Sequence, residues 1–74
     1  MEFVKVKYYR RRTVYIDGDK SGYTNTLLRV NRGTHKFELS APPNYTPAFR
    51  KPFVKDTIPA RPMIIEFRPK PRPA

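Results

Sequence analysis

Apolar side chains recur at every second position in several short stretches of this chain. Val4, Val6 and Tyr8 alternate with lysines near the start, and Phe37 and Leu39 alternate with polar residues further on. A period of two places alternate side chains on opposite faces of a β-strand, so these stretches predict half-buried strands. No segment predicts a helix. The side chains expected to meet in one apolar interior are Val14, Ile16, Leu28, Val30, Phe37, Leu39, Ile65 and Phe67.

Turn signals separate the apolar stretches. The segments 10–12, 17–20 and 31–33 predict turns, and Gly33 is expected to supply the positive φ that its turn requires. All nine prolines follow residue 41, which predicts a loop or crossover over 41–47. Pro52 predicts that a strand over 48–55 lies at a sheet edge, and a last strand is expected over 63–68. The pattern predicts an all-β fold, a small antiparallel β-sandwich of about six or seven short strands.

The length of 74 residues fits one domain. We expect it to cover residues 1–68, because the proline-rich and basic segment 69–74 predicts an extended polyproline II tail or linker. With no cysteine in the chain, disulfides and thiolate metal sites are excluded, so apolar burial and strand pairing must hold the fold. No stretch approaches the roughly 20 apolar residues of a membrane-spanning helix.

The charge of the chain shows that the predicted β-domain is a basic one. Sixteen lysines and arginines against six carboxylates give a net charge of +10, which attracts polyanions. Five basic residues fall within the first twelve positions, interleaved with tyrosines, and three more lie near the end of the chain. Neighbouring first and last strands would merge the two groups into one positive patch. The candidate contact surface is Lys5, Lys7, Tyr9, Arg10, Arg11, Arg12 and Tyr15.

Two other patterns are candidates for chemical sites. The segment 17–22 matches the start of an EF-hand loop, but Leu28 stands where the bidentate glutamate should be, so a hairpin turn with hydrogen-bonded carboxylates is the favoured interpretation. His35 is the only histidine. Because it alternates in register with Phe37 and Leu39, we expect a hydrogen-bonded, partly buried structural residue. The sequence predicts no enzyme, catalytic residue, cofactor or metal site.

Several of these elements, in the same order, resemble the PEGA domain. They are Val14 to Gly18, then Gly22 and Thr24, then the segment 32–39, and finally Tyr45; together they span most of residues 4–67. Arg10 to Thr13 stand in place of the tetrapeptide that names the family, and Asn25 stands where proline would follow Thr24. The resemblance implies a small β-sandwich module, found mainly in bacterial and archaeal envelope or multidomain proteins, without an established catalytic role.

Two functions are compatible with these features. The first is a non-enzymatic accessory or interaction module that contacts a protein or glycan partner through its basic strand and turn surface. The alternative is a small protein that binds nucleic acid or another polyanion, with Arg10 to Arg12 gripping phosphates. Met1 to Lys7 lack the apolar block of a signal peptide, so none is expected in this chain. The PEGA resemblance implies an envelope-associated location; without it we expect a cytoplasmic one.

Overall fold

The fold consists of β-strands, turns and loops. The computed structural model describes residues 1–71, and these contain no helix. Six strands have three or more residues, and four paired segments have two. In chain order they are β1 (Glu2–Lys7), β2 (Thr13–Ile16), β3 (Asp19–Tyr23), β4 (Leu27–Val30), β5 (Gly33–Thr34), β6 (Phe37–Leu39), β7 (Tyr45–Thr46), β8 (Phe53–Val54), β9 (Met63–Glu66) and β10 (Arg68–Pro69).

Two three-stranded sheets form the body of the protein. One has the strand order β4-β1-β9 and the other β3-β2-β6, while β5-β8 and β7-β10 are small two-stranded additions. The two strands that flank the arginine segment, β1 and β2, therefore belong to different sheets. Residues 8–12 connect these two sheets, so the turn predicted at 10–12 does not close a hairpin.

A single apolar interior lies between the inner faces of the two sheets. All eight residues predicted to meet there are buried, which confirms the alternation on which the all-β prediction rests. Val4, Val6 and Tyr8 are buried too, as the first strand pattern predicts. Tyr45 fills one end of this interior. Its hydroxyl donates to the carbonyl oxygen of Leu39 at 3.0 Å, and its ring meets the ring of Phe67 edge-on at 5.4 Å.

The pairing differs from the predicted antiparallel arrangement at one place. β1 is the central strand of its sheet and pairs antiparallel with β4, but it pairs parallel with β9, Val6 lying opposite Ile65. The loop between β8 and β9 carries the chain back to the Glu2 end of β1 before β9 starts. As a result, β1 and β9 both end on the same side of the protein, where the arginine segment begins.

The proline-rich half of the chain contains less β-strand than the sequence predicts. Within 48–55 only β8 forms, and it pairs with the two-residue β5. The loop predicted over 41–47 contains the short β7, which pairs with β10. Pro69 thus lies in a paired strand, and the N–H of Lys70 donates to the carbonyl oxygen of Asn44 at 2.9 Å, so strand pairing passes the predicted boundary at residue 68. The remainder of the predicted tail, 72–74, lies outside the described residues.

Candidate binding surface

The segment Tyr8–Arg12, called the arginine loop here, crosses from one sheet to the other at the Lys7 end of β1. Thr24 holds it from beneath. The Thr24 hydroxyl is buried, donates to the carbonyl oxygen of Arg10 at 2.9 Å and accepts the N–H of Arg12 at 2.8 Å. The N–H of Thr24 donates in turn to the carbonyl oxygen of Arg12 at 2.9 Å. One side chain therefore satisfies backbone groups on both sides of Arg11, where no regular strand pairing is available.

Asn25 fixes the start of the arginine loop. Its side-chain amide donates to the carbonyl oxygen of Tyr8 at 2.9 Å and accepts the N–H of Tyr8 at 3.3 Å, which imitates strand pairing at the end of β1. Asn25 has a φ of +62°, in the left-handed region that asparagine tolerates better than most residues. A proline ring fixes φ near −65°, so the proline of the family pattern would not fit this conformation.

Arg12 is the anchor of the loop. Its guanidinium donates to the carbonyl oxygen of Ser40, to the carbonyl oxygen of Pro42 at 2.8 Å and to the side-chain oxygen of Asn44 at 2.7 Å. It also lies between two aromatic rings, 5.7 Å from the centroid of Tyr8 and 5.6 Å from that of Tyr45. These contacts engage the guanidinium of Arg12 within the protein itself. Arg12 therefore differs in its environment from Arg10 and Arg11.

Arg10 and Arg11 point their charges towards solvent. Both residues are exposed, and neither guanidinium has a carboxylate partner among the described residues. Each lies over a tyrosine ring: the guanidinium carbon of Arg10 is 5.0 Å from the centroid of Tyr9, and that of Arg11 is 4.1 Å from the centroid of Tyr23. Such cation–π contacts limit the side-chain freedom of an exposed arginine and leave its N–H groups available to a ligand.

A shallow groove of about 490 Å³ runs beside these two arginines. We call it the arginine groove; its lining is Arg10, Arg11, Arg12, Thr13, Tyr23, Ser40, Ala41, Pro42 and Asn44. The lining contains three guanidinium groups, hydroxyl and amide groups, and no carboxylate. Its electrostatic potential must therefore favour an anion.

A second groove of similar volume lies on the β1–β9 side of the arginine loop. We call it the tyrosine groove; its lining is Lys7, Tyr8, Tyr9, Asn25, Glu66, Phe67, Arg68 and Pro69. Glu66 pairs with Arg68 at 3.0 Å, so Lys7 is the one lining cation without a carboxylate partner among the described residues. The parallel pairing of β1 with β9 brings Lys7 and Arg68 to this groove. It thus joins the basic start of the chain to part of its basic end.

The predicted contact surface is divided among four places. Arg10, Arg11 and Arg12 line the arginine groove, and Lys7 and Tyr9 line the tyrosine groove. Lys5 lies apart on the outer face of its sheet, between Leu27 and Ile64.

Tyr15 lies on the outer face of the other sheet, opposite Glu38 and Lys20. Because the inner faces of the two sheets meet at one core, their outer faces point in opposite directions. Lys5 and Tyr15 therefore do not share one flat surface.

His35 is far more enclosed than the arginines. Its Nδ1 is 2.6 Å from a carboxylate oxygen of Asp17, and its Nε2 is 2.6 Å from the carbonyl oxygen of Asn31. The hydrogen bond to Asp17 raises the pKa of His35, with the carbonyl oxygen of Asn31 acting in the same direction. The N–H of Lys36 and then His35 lower the pKa of Asp17. The predicted hydrogen-bonded, partly buried histidine is confirmed, and Asp17 does accept a backbone N–H, that of Lys36.

Sequence reasoning did not single out four residues that build the grooves: Tyr23, Thr24, Asn25 and Asn44. Thr24 and Asn25 entered the sequence comparison only as matches or departures from a family pattern. Their hydrogen bonds join residues 12 to 17 positions apart, and a period-two pattern carries no signal for such contacts. The one local signal at this point is a pair of small polar residues after a strand, a combination typical of turns, and no turn was predicted there.

No protein family, curated protein or solved structure matches this chain. The PEGA resemblance thus stays a prediction. Over residues 1–71, no helix is long and apolar enough to cross a membrane, and no three histidine or carboxylate side chains lie close enough together to hold a metal ion.

Proposed function

We propose that the protein is a non-enzymatic interaction module that holds an anionic partner in the arginine groove. The observation that carries this proposal is the pair of exposed guanidinium groups of Arg10 and Arg11, each fixed over a tyrosine ring beside a groove without carboxylates. Guanidinium groups bind carboxylate, phosphate and sulfate groups in a bidentate manner, and a fixed side chain loses less entropy on binding.

The support for a binding role rather than catalysis comes from the chemistry around the grooves. The only histidine of the chain has both ring nitrogens engaged, at the Asp17 turn. Glu66, the one carboxylate that lines either groove, is paired with Arg68. General acid–base catalysis most often uses a histidine or a carboxylate within reach of the substrate, and among the described residues neither groove offers an unpaired one. The PEGA resemblance adds that the module belongs to a larger envelope-associated or multidomain protein.

The experiment compares two double variants that lose the same charge. Arg10→Gln with Arg11→Gln removes the exposed cations of the arginine groove. Arg32→Gln with Arg61→Gln is the control, because it removes two exposed arginines near the Glu2 end of β1. Arg32 lies two residues after Val30, which pairs with Glu2, and Arg61 lies two residues before Met63, which pairs with Val4. Binding of heparin and of poly-glutamate, as sulfated and carboxylated probes, is measured by titration calorimetry while sodium chloride is raised.

We expect the arginine-groove variant to bind at least one probe about tenfold more weakly than the control variant, because the two exposed charge-assisted contacts are each worth up to roughly 1 kcal/mol. The native complex should weaken steeply with salt. Equal weakening in the two variants would mean that net charge alone attracts anions, and it would overturn the proposal.

A further inference from the structure

We infer that the anionic partner is single-stranded nucleic acid, lying along the arginine groove, across Tyr9 and into the tyrosine groove. This inference rests on the proposed function and names the chemical class of its ligand. The feature that calls for it is Tyr9. Tyr8 already supplies the buried ring at this point, whereas Tyr9 is 62% exposed and adds nothing to the apolar interior.

The exposed ring of Tyr9 is held in place from two sides. It packs against Tyr8 with 4.9 Å between ring centroids, and the guanidinium of Arg10 lies over it. Arg11 over Tyr23, in the arginine groove, repeats the arrangement of a cation over a ring. The surface therefore presents two pairs, each consisting of a flat π system and a fixed cation.

A nucleic acid strand repeats the complementary pair of groups, a planar base and a phosphate. Bases stack on tyrosine rings and on guanidinium planes while phosphates accept the arginine N–H groups. Sulfated glycans and acidic polypeptides offer the anions without a flat π system in every repeating unit, so they complement the exposed Tyr9 less closely. In a duplex the base faces are covered by neighbouring base pairs, which restricts this surface to unpaired strands.

The tyrosine groove extends the same surface beyond Tyr9. It offers the exposed ring of Tyr9 together with Lys7, while Tyr8 and Phe67, which also line it, are buried. The side-chain amide of Asn25 is occupied by the backbone of Tyr8, and the side-chain oxygen of Asn44 by Arg12. Both amides would otherwise be candidates to read base edges. We therefore expect stacking and phosphate contacts with weak dependence on base sequence.

The first test compares two strands with equal charge. One is oligothymidylate of about 12 nucleotides, within the roughly 4 to 16 nucleotides that small single-strand domains cover, and the other is an abasic deoxyribose-phosphate strand of the same length. The chain has five tyrosines and no tryptophan, so quenching of tyrosine emission reports stacking while anisotropy of labelled strands reports affinity. We expect oligothymidylate to bind about tenfold more tightly or more, because each base that stacks on a ring adds to the affinity.

The second test asks whether the strand enters the tyrosine groove. Glu66→Gln removes the carboxylate that pairs with Arg68, whereas Glu38→Gln removes one that pairs with Lys36 on the outer face of the other sheet. Each raises the net charge by one. We expect Glu66→Gln to tighten oligothymidylate binding severalfold and Glu38→Gln to change it little. Tyr9→Leu should weaken oligothymidylate binding severalfold, towards the affinity of the abasic strand, while Tyr23 remains.

The possible outcomes separate this inference from the proposed function. Equal affinities for the two strands, or an unchanged affinity in Tyr9→Leu, overturn the nucleic acid inference and leave the anionic groove standing. Tighter binding of poly-glutamate than of oligothymidylate, lost in the Arg10 and Arg11 double variant, also overturns it and indicates an acidic protein partner. If the Arg10 and Arg11 double variant binds every polyanion as the native protein does, both the nucleic acid inference and the proposed function are overturned. An equal gain in oligothymidylate affinity in Glu66→Gln and Glu38→Gln excludes the extension of the strand into the tyrosine groove.

Discussion

His35 and Asp17 form an ion pair between two turns that lie eighteen residues apart in the sequence, with Nδ1 of the ring 2.6 Å from the carboxylate. The other ring nitrogen faces a carbonyl oxygen, that of Asn31. Both neighbours are hydrogen-bond acceptors, so the ring satisfies both only when each nitrogen carries a proton. The fold therefore favours the imidazolium form of His35.

This relationship predicts how stability depends on pH. A raised pKa of His35 contributes stability that is fully present below the unfolded value of about 6.5 and is lost as pH rises through the higher folded value. The lowered pKa of Asp17 contributes stability that is present above about 3.9 and is lost as pH falls through the lower folded value. We expect the urea midpoint to be highest between about pH 4 and 6.5 and to fall towards pH 9.

The variant His35→Gln isolates the contribution of the histidine. It keeps every other titrating group, including the lysines near Asp17, so the difference between the two curves reports His35 alone. The midpoint of the variant should change less than that of the native protein between pH 6 and 9. Two parallel curves over this range would contradict the assignment of a protonated ring.

Removing the Thr24 hydroxyl should loosen the arginine loop. Thr24→Val keeps the shape of the side chain but leaves the N–H of Arg12 and the carbonyl oxygen of Arg10 without their partner in a buried place. We expect a loss of about 1 to 3 kcal/mol in the free energy of unfolding, measured by urea denaturation. In Thr26→Val, the matched control, the lost hydrogen bond to the carbonyl oxygen of Tyr23 is exposed, and water replaces it. Equal losses in the two variants would show that Thr24 does not hold the loop.

Much of the fold could be predicted from the sequence, because strand alternation is a local signal. Val14 and Ile16 face the interior, and Thr13 and Tyr15 lie on the opposite face of the strand, as their spacing predicts. The turn at Asp17 and Gly18 is equally local: both residues have positive φ, which suits a two-residue hairpin loop. The parallel pairing of β1 with β9 was not predicted, because it depends on the path of a proline-rich loop that carries no periodic signal.

The candidate site could be predicted only in part, for a related reason. The basic and aromatic composition of residues 5–15 indicated a surface, but it did not distinguish Arg12 from Arg10 and Arg11. That distinction depends on carbonyl oxygens of Ser40 and Pro42, which lie about thirty positions away. Lys5 and Tyr15 were grouped with the arginines by sequence proximity, and the crossing between two sheets separates them.

Gly22 is the position where a methyl group should disturb the sandwich most directly. A Cβ atom there would lie 2.6 Å from Cδ2 of the buried Leu28, and φ is +153°. Ser21 is the extra residue of a bulge beside it, because Val14 pairs with Gly22 and Tyr15 with Lys20. We expect Gly22→Ala to lower the free energy of unfolding by about 1 to 3 kcal/mol through overpacking, in addition to backbone strain.

Gly33→Ala separates the two effects at Gly22. Gly33 has a φ of +137° and no atom within 4 Å of an added Cβ, so its substitution adds backbone strain without a clash. Chemical denaturation should give a lower free energy of unfolding for Gly22→Ala than for Gly33→Ala. In a Leu28→Ala background, the additional cost of Gly22→Ala should shrink, because the clashing atom is gone. An unchanged cost in that background would exclude the contact with Leu28 as its cause.

Arg12 and Arg11 should respond oppositely to the same substitution. Arg12→Gln removes donors from four acceptors on the 40–44 segment. It should therefore lower the free energy of unfolding by about 1 to 2 kcal/mol and speed amide hydrogen exchange in the arginine loop. Arg11→Gln removes an exposed cation over Tyr23 and should leave stability within about 0.5 kcal/mol of the native value. Binding should show the reverse order at conditions where both variants are folded, with Arg11→Gln losing more affinity for polyanions. If Arg12→Gln were as stable as Arg11→Gln and bound polyanions more weakly, then Arg12 would belong to the binding surface rather than to its support.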